Sequence, residues 1–262
     1  MEHKKVQEGS HAAPETYYIA IQKNGPYLVY GKPPINHELL IPDETGWSWS
    51  YQQGEKVEDC ESPIALCRCG QSKHKPCCDG THEDVEWDAA ETAAKDTIAP
   101  QQFTNQDFIL NDNKEYCATA RFCDGHGDIW HLLQKKELTE GEKNTVKHQG
   151  KHCPSGRLRL QNATTGEIYE PKFDPGIGIL EDPVLKVSGP IWVKGGIRVQ
   201  SAGGESYTIR NRVTLCRCGH SSNKPFCDGT HVTICFKDSK FHIDDKVKDV
   251  AAQAYEKIKD DM

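Results

Sequence analysis

Apolar material is scarce in this chain. Hydrophobic residues fill 36% of the 262 positions and the mean hydropathy is −0.71, so a single large core is not expected, and one to three small units that need staples are. No run of eighteen apolar residues occurs, so a membrane-spanning helix is not expected. The first residues, MEHKKVQEGSHAAPE, lack an apolar stretch of signal-peptide type, and being free of arginine they are unlike a transit peptide. A reducing cytoplasm is the expected setting, where the 12 cysteines are not expected to form disulfides. Basic excess is also missing: the net charge is −7 and the isoelectric point near 5.9, which argues against nucleic-acid binding through phosphate contacts. There is no Ser/His/Asp order, P-loop or dinucleotide fingerprint; GIGIL at 176–180 lacks the third glycine and the helix context. Nothing here marks an enzyme.

What is present is a sixteen-residue segment that occurs twice, CRCGQSKHKPCCDGTH at 67–82 and CRCGHSSNKPFCDGTH at 216–231, identical at twelve positions. Each copy offers Cys-x-Cys, a third Cys after eight intervening residues and a His four positions later. Soft thiolates and an imidazole in a short loop form a metal-ligand set. The usual zinc modules draw on Cys-x2-4-Cys and a distant second pair, so Cys-x-Cys is tight for zinc. A [2Fe-2S] cluster has two irons that each need two protein ligands, and mixed Cys and His ligation is known chemistry. Cys67 and Cys69 suit one iron and Cys78 and His82 the other; Cys216 and Cys218, then Cys227 and His231, repeat the arrangement. A zinc-stapled structural knuckle is the alternative.

These residues resemble the CDGSH iron-sulfur family, also called NEET proteins. Ser72, Pro76, Cys78, Asp79, Gly80 and His82 fall in place in the first copy, and Ser221, Pro225, Cys227, Asp228, Gly229 and His231 in the second; Thr81 and Thr230 stand where the family name has serine. The resemblance implies two [2Fe-2S] clusters, each held by three Cys and one His. Members commonly form homodimers, which implies a monomeric pseudo-dimer within this chain, with a homodimer as the alternative. Pro76 supports a turn, and Asp79 is placed to cap a helix starting at Gly80.

The repeat extends upstream, where NGPYLVYGKPPI from Asn24 and SGPIWVKGGIRV from Ser188 each give a Gly-Pro turn, a strand-like run and a glycine turn, preceded by YYIAIQ or PVLKVS. Downstream, Trp87 and Phe236 each follow the histidine by five positions. The first copy has a longer excursion from His37 to Tyr51, in which Trp47 and Trp49 are expected to pack.

Between the copies, Cys117 and Cys123 are separated by ATARF, and Cys153 precedes Pro154. This resembles the cysteine pattern of single-cluster bacterial ferredoxins, with Ala120 where a second cysteine would stand. Three thiolates imply a [3Fe-4S] cluster, or a [4Fe-4S] cluster with a non-cysteine fourth ligand; a ferredoxin-like remnant with buried thiols is the alternative. CDGHG at 123–127 is not a third copy, because His126 follows the cysteine by three positions and no Cys-x-Cys stands upstream.

The expectation is an α+β chain: a first β-rich unit at 16–94, a ferredoxin-like insert at 95–180, a second β-rich unit at 181–244 and a C-terminal helix at 245–262. Val247, Val250, Ala251, Ala254, Tyr255 and Ile258 give that helix an apolar face. Lys73, Lys75 and Lys224 read as solvated surface, or as steering for an acidic redox partner. Cys60, Cys77 and Cys235 are expected to pack. One-electron transfer to a redox partner is the leading function; a cluster or iron carrier serving an apo-acceptor, or a redox or pH sensor, is the alternative. A ligating histidine must be deprotonated at the metal-binding nitrogen, so acid favours cluster loss. His82→Cys and His231→Cys are expected to slow acid-induced bleaching of the visible spectrum, and equal lability of parent and variants would count against His ligation.

Overall fold

The computed structural model describes residues 13–57, 63–96, 99–238 and 245–259. Strand β1 (Tyr18–Ile21) and strand β2 (Tyr27–Tyr30) form an antiparallel hairpin across the Gly-Pro turn, pairing Ile19 with Val29. Their alternating burial reflects the period of two in YIAI and YLVY. Strand β3 (Ile35–Pro42) and strand β4 (Ser48–Lys56) form the excursion that carries both tryptophans, and strand β5 (Ile64–Leu66) runs into the first cysteine loop. The middle segment contributes β6 (Gln101–Thr104), β7 (Phe108–Asp112), helix α1 (Ile129–Gln134), helix α2 (Glu140–His152) and β8 (Leu158–Asn162). Then come β9 (Gly176–Asp182), β10 (Val187–Lys194), β11 (Arg198–Gln200), β12 (Arg212–Leu215), the short helix α3 (Thr230–Thr233) and helix α4 (Asp245–Ile258). Mixed helix and strand content agrees with the α+β expectation.

The two β-rich units do not close separately. One sheet has the order β11-β1-β2-β5 and another β12-β10-β9-β3-β4, so each contains strands from both halves. The joints are the parallel pairings of β1 with β11 and of β3 with β9. One core results, in which Ile19, Tyr27, Val29 and Leu66 meet Ile179, Ile191, Val213 and Leu215. The run expected as a strand at PVLKVS begins instead as a turn, with Lys186 at φ 55°. The strand before that turn is GIGILED, wholly buried because Ile177 and Ile179 face the joint core while Leu180, on the other face, packs against Ala120, Phe122 and Trp192.

The third sheet, β6-β7-β8, and helices α1 and α2 form the middle segment around a core of its own, including Phe108, Leu110, Ile129, Val146, Leu158 and Leu160. Helix α2 starts in a capping box of Thr139 and Glu142. Its other end meets β4: Trp49 stacks on His148 with ring centroids 3.7 Å apart, His148 stacks on His152 at 3.8 Å, and Tyr51 Oη donates to the His152 carbonyl. Trp49 therefore packs, as expected, and it packs against the insert.

Helix α4 buries Ala251, Ala254 and Ile258 against Val184. Val250, expected on that face, is instead 48% exposed. Cys235 is exposed and adopts φ 52°, and Cys77 is in a disulfide, against the expectation that none would form, so neither takes the packing role expected of it; Cys60 lies outside the described residues. No helix among the described residues is long and apolar enough to cross a membrane.

Burial lowers the His148 pKa to about 4, with neighbouring His152 acting in the same direction. An unfolded chain, with an ordinary histidine pKa near ~6.5, takes up that proton first as pH falls. Stability is therefore retained above pH ~6.5 and declines toward pH ~4. Thermal unfolding followed by circular dichroism should show a melting temperature that drops across this interval, less steeply in His148→Gln.

Candidate metal centres

Each cysteine loop is a closed hairpin held by the same bonds in both copies. The Cys67 amide donates to the Pro76 carbonyl and the Cys216 amide to that of Pro225, both at 2.8 Å. Cys78 and Cys227 donate to the strands entering the loops, at Ala65 (2.8 Å) and Thr214 (2.9 Å). Ser72 Oγ donates to the Cys77 carbonyl and Ser221 Oγ to that of Phe226, each at 2.7 Å. Asp79 and Asp228 tie the loop together, accepting from the amides of Lys73 (2.8 Å) and Ser222 (2.7 Å) with one oxygen and from those of Thr81 (3.1 Å) and Thr230 (3.0 Å) with the other. Asp79 and Asp228 thus bind the first amide of the following turn, but the cap residue is Gly80 or Gly229, and the turn begins one position later than expected. The helix is a single turn in each copy, over Thr81–Glu83 and Thr230–Thr233. Gly80 and Gly229, at φ 87° and 89°, supply the left-handed residue before it.

These bonds bring the donors together in pairs. Cys67 Sγ lies 3.7 Å from Cys69 Sγ, and Cys216 Sγ 3.7 Å from Cys218 Sγ. Cys78 Sγ is 3.2 Å from His82 Nδ1, and Cys227 Sγ 3.4 Å from His231 Nδ1. A tetrahedral metal with bonds of ~2.3 Å to sulfur and ~2.0 Å to nitrogen spaces two thiolates about 3.8 Å apart and a thiolate and imidazole about 3.5 Å apart. Each pair therefore fits two ligands of one metal. Among the described residues no three His, Cys, Asp or Glu side chains converge on a single-ion site.

The first cysteine of each copy is the more acidic. A hydrogen bond from its neighbour lowers Cys67 to about 6 and Cys216 to about 7, while Cys69 and Cys218 are pushed up by the same bond and by burial. Burial raises Cys78 and, further, Cys227, and brings His231 down to about 4. A thiolate and a neutral imidazole are the forms that bind metal. The two sites differ in depth: Cys78 is half-buried, whereas Cys227 and His231 are 2% and 4% exposed.

The loops meet reciprocally. A Cβ on Gly70 would stand 2.3 Å from the Cys218 carbonyl oxygen, and one on Gly219 would stand 2.5 Å from that of Cys69. Tyr27 of the first half donates into the second loop, at the carbonyls of Cys216 (2.9 Å) and Pro225 (3.1 Å). Lys224, expected as solvated surface, is buried; its Nζ donates to the Ser221 carbonyl at 2.8 Å and faces Asp88 at 3.2 Å. Sequence reasoning also passed over Arg68 and Arg217, identical in each Cys-Arg-Cys and both fully buried. Their presence in both copies was the available signal.

The middle cysteines also come together. Cys117, Cys123 and Cys153 line one cavity of about 80 Å³ with Ala120, Asp124 and Arg157. Its wall continues into the second loop: a Cβ on Gly229 would stand 2.1 Å from Thr119 Oγ1 and 3.3 Å from the Cys117 carbonyl, and Asn223 Nδ2 donates to the Glu115 carbonyl at 2.8 Å.

Family comparison agrees with this geometry. The model described as "Iron-binding zinc finger CDGSH type" matches residues 24–83 and 188–232, and "Divergent 4Fe-4S mono-cluster" matches residues 103–163. Two CDGSH-type segments thus flank a ferredoxin-like middle, which supports an iron-sulfur protein. No curated protein and no solved structure matches the chain. Both matched CDGSH segments begin at the residue before the Gly-Pro turn and end one residue beyond the histidine.

Gly70→Ala and Gly219→Ala, strained by positive φ and clashing with a backbone oxygen, should each lower stability by more than the ~1–3 kcal/mol of backbone strain alone. Gly80→Ala, also at positive φ but with open space around it, should lose no more than that strain. Calorimetry of the three variants checks this order.

Proposed function

We propose that the protein holds two [2Fe-2S] clusters and serves one-electron transfer between partner proteins. Cys67, Cys69, Cys78 and His82 would hold the first cluster, and Cys216, Cys218, Cys227 and His231 the second. Such clusters supply reversible uptake of a single electron. The arrangement of donors as two pairs per loop, each at the spacing of ligands on one metal, carries this reading. Two centres sharing a reciprocal loop contact, and a third cysteine cavity against the second loop, favour electron transfer because neighbouring centres suit a relay. Cys117, Cys123 and Cys153 would hold a [3Fe-4S] cluster, or a [4Fe-4S] cluster with a non-cysteine ligand. The reading is of a non-enzymatic, cytoplasmic protein working as a monomeric pseudo-dimer with a redox partner.

One observation favours a second reading, a cluster or iron carrier or sensor. The Cys78 and His82 side of the first site is shallower than its counterpart, which suits release to an apo-acceptor.

Iron, acid-labile sulfide and zinc content of anaerobically purified protein, with EPR before and after dithionite, tests the proposal. Four irons per chain with a reduced [2Fe-2S] signal is expected from the two CDGSH sites alone, and seven or eight from an added middle cluster. Stoichiometric zinc without sulfide would replace the proposal with a structural zinc module. Transfer of iron to an apo-ferredoxin without reductant would favour the carrier.

A further inference from the structure

The arginine between the first two cysteines of each copy is held in the same way up to a point. Arg68 Nε donates to the Gly25 carbonyl at 2.8 Å and Arg217 Nε to the Gly189 carbonyl at 3.0 Å, the glycine of each Gly-Pro turn. Each guanidinium lies over the aromatic residue downstream of its histidine, Arg68 at 4.8 Å from the Trp87 ring and Arg217 at 5.5 Å from Phe236. There the copies part. Arg68 Nη1 donates to the backbone carbonyl of Ala89 at 3.0 Å. Arg217 Nη1 donates to the carboxylate of Asp238 at 2.7 Å, and its Nη2 to Glu181 at 2.7 Å. Ala89 and Asp238 are equivalent positions, each seven residues after its histidine, His82 or His231.

Arg68 is therefore a buried cation bonded to neutral groups; the one carboxylate its charge is seen to reach, Asp88, is exposed and paired with Lys224, and no ion pair to Arg68 occurs among the described residues. Arg217 is a buried cation with counter-ions. Burial holds the Glu181 carboxyl up to about 7, which leaves Asp238 as the counter-ion to remove in a test. A one-electron reduction adds one negative charge to whatever the adjacent thiolates hold. An uncompensated cation inside the protein favours that change, and a compensated one does so far less.

We propose that Arg68, and Arg217 with its partners Asp238 and Glu181, set the two CDGSH sites at different reduction potentials, the first site being the easier to reduce. The inference rests on the reading of both loops as [2Fe-2S] sites. Arg68, Arg217 and Asp238 act here as positioning residues for charge, not as ligands.

The test is an anaerobic redox titration of the full chain followed by EPR and visible absorption. Two one-electron waves are expected, with His82→Cys moving only the higher and so assigning it to the first site. Asp238→Asn should raise the lower wave by at least a tenfold change in the ratio of reduced to oxidised centre, about 59 mV, and leave the higher in place. Ala89→Asp should lower the higher wave. Arg68→Gln should lower it too and Arg68→Lys, which keeps the charge, should not; if Arg68→Gln does not fold, the Asp238→Asn and Ala89→Asp shifts decide. Coincident waves in the parent, or a lower wave unmoved by Asp238→Asn, would overturn the inference while leaving the clusters in place. A parent chain with no [2Fe-2S] signal would overturn the underlying reading and this inference with it.

Discussion

Two peptide carbonyls, those of Cys69 and Cys218, each fill the space that a side chain would need on the glycine of the opposite loop. Much of the molecule is arranged around that mutual seat. Each loop can reach it only if β5 and β12 deliver their cysteines from two sheets held side by side. The parallel pairings of β1 with β11 and of β3 with β9 join the two halves within each of those sheets. The shared core follows, since strands that pair across the halves also bury their apolar faces together. A chain only 36% hydrophobic gains by this interlock, because one joint core covers more of its apolar surface than two small ones would.

The parts of the fold and site that were legible in the sequence are those governed by short-range rules. Cysteine spacing, the proline and the aspartate of each loop all act within sixteen residues, and the structure closes both loops as their chemistry asks. The alternation in YIAI and YLVY likewise marks strands that are buried on one face. GIGILED was not legible, because a strand covered on both faces has no alternation to display. PVLKVS alternates and yet turns, and Val250 sits at helical spacing and yet faces water. In each case the pattern states which residues lie together on an element, not what the rest of the chain brings against it. Lys224 shows the same gap, since its burial depends on Asp88 and on the Ser221 carbonyl.

The ferredoxin-like middle is a different kind of neighbour. It folds about its own apolar cluster, yet its cysteine cavity shares a wall with the second loop through Thr119 and Gly229, and its helix α2 stacks on the tryptophan of β4. The insert is fastened further by the buried Arg121–Asp182 pair, by Ala120 and Phe122 packed against Leu180 and Trp192, and by Arg212 donating to its backbone carbonyls.

In a homodimer with two-fold symmetry, any residue change is made in both subunits at once, and the two sites remain degenerate whatever evolution does to them. Covalent tandem linkage removes that constraint. A single position can be alanine in one repeat, at 89, and aspartate in the other, at 238, without disturbing the mutual fit of the loops. Such a duplication leaves two copies of one architecture free to divide labour.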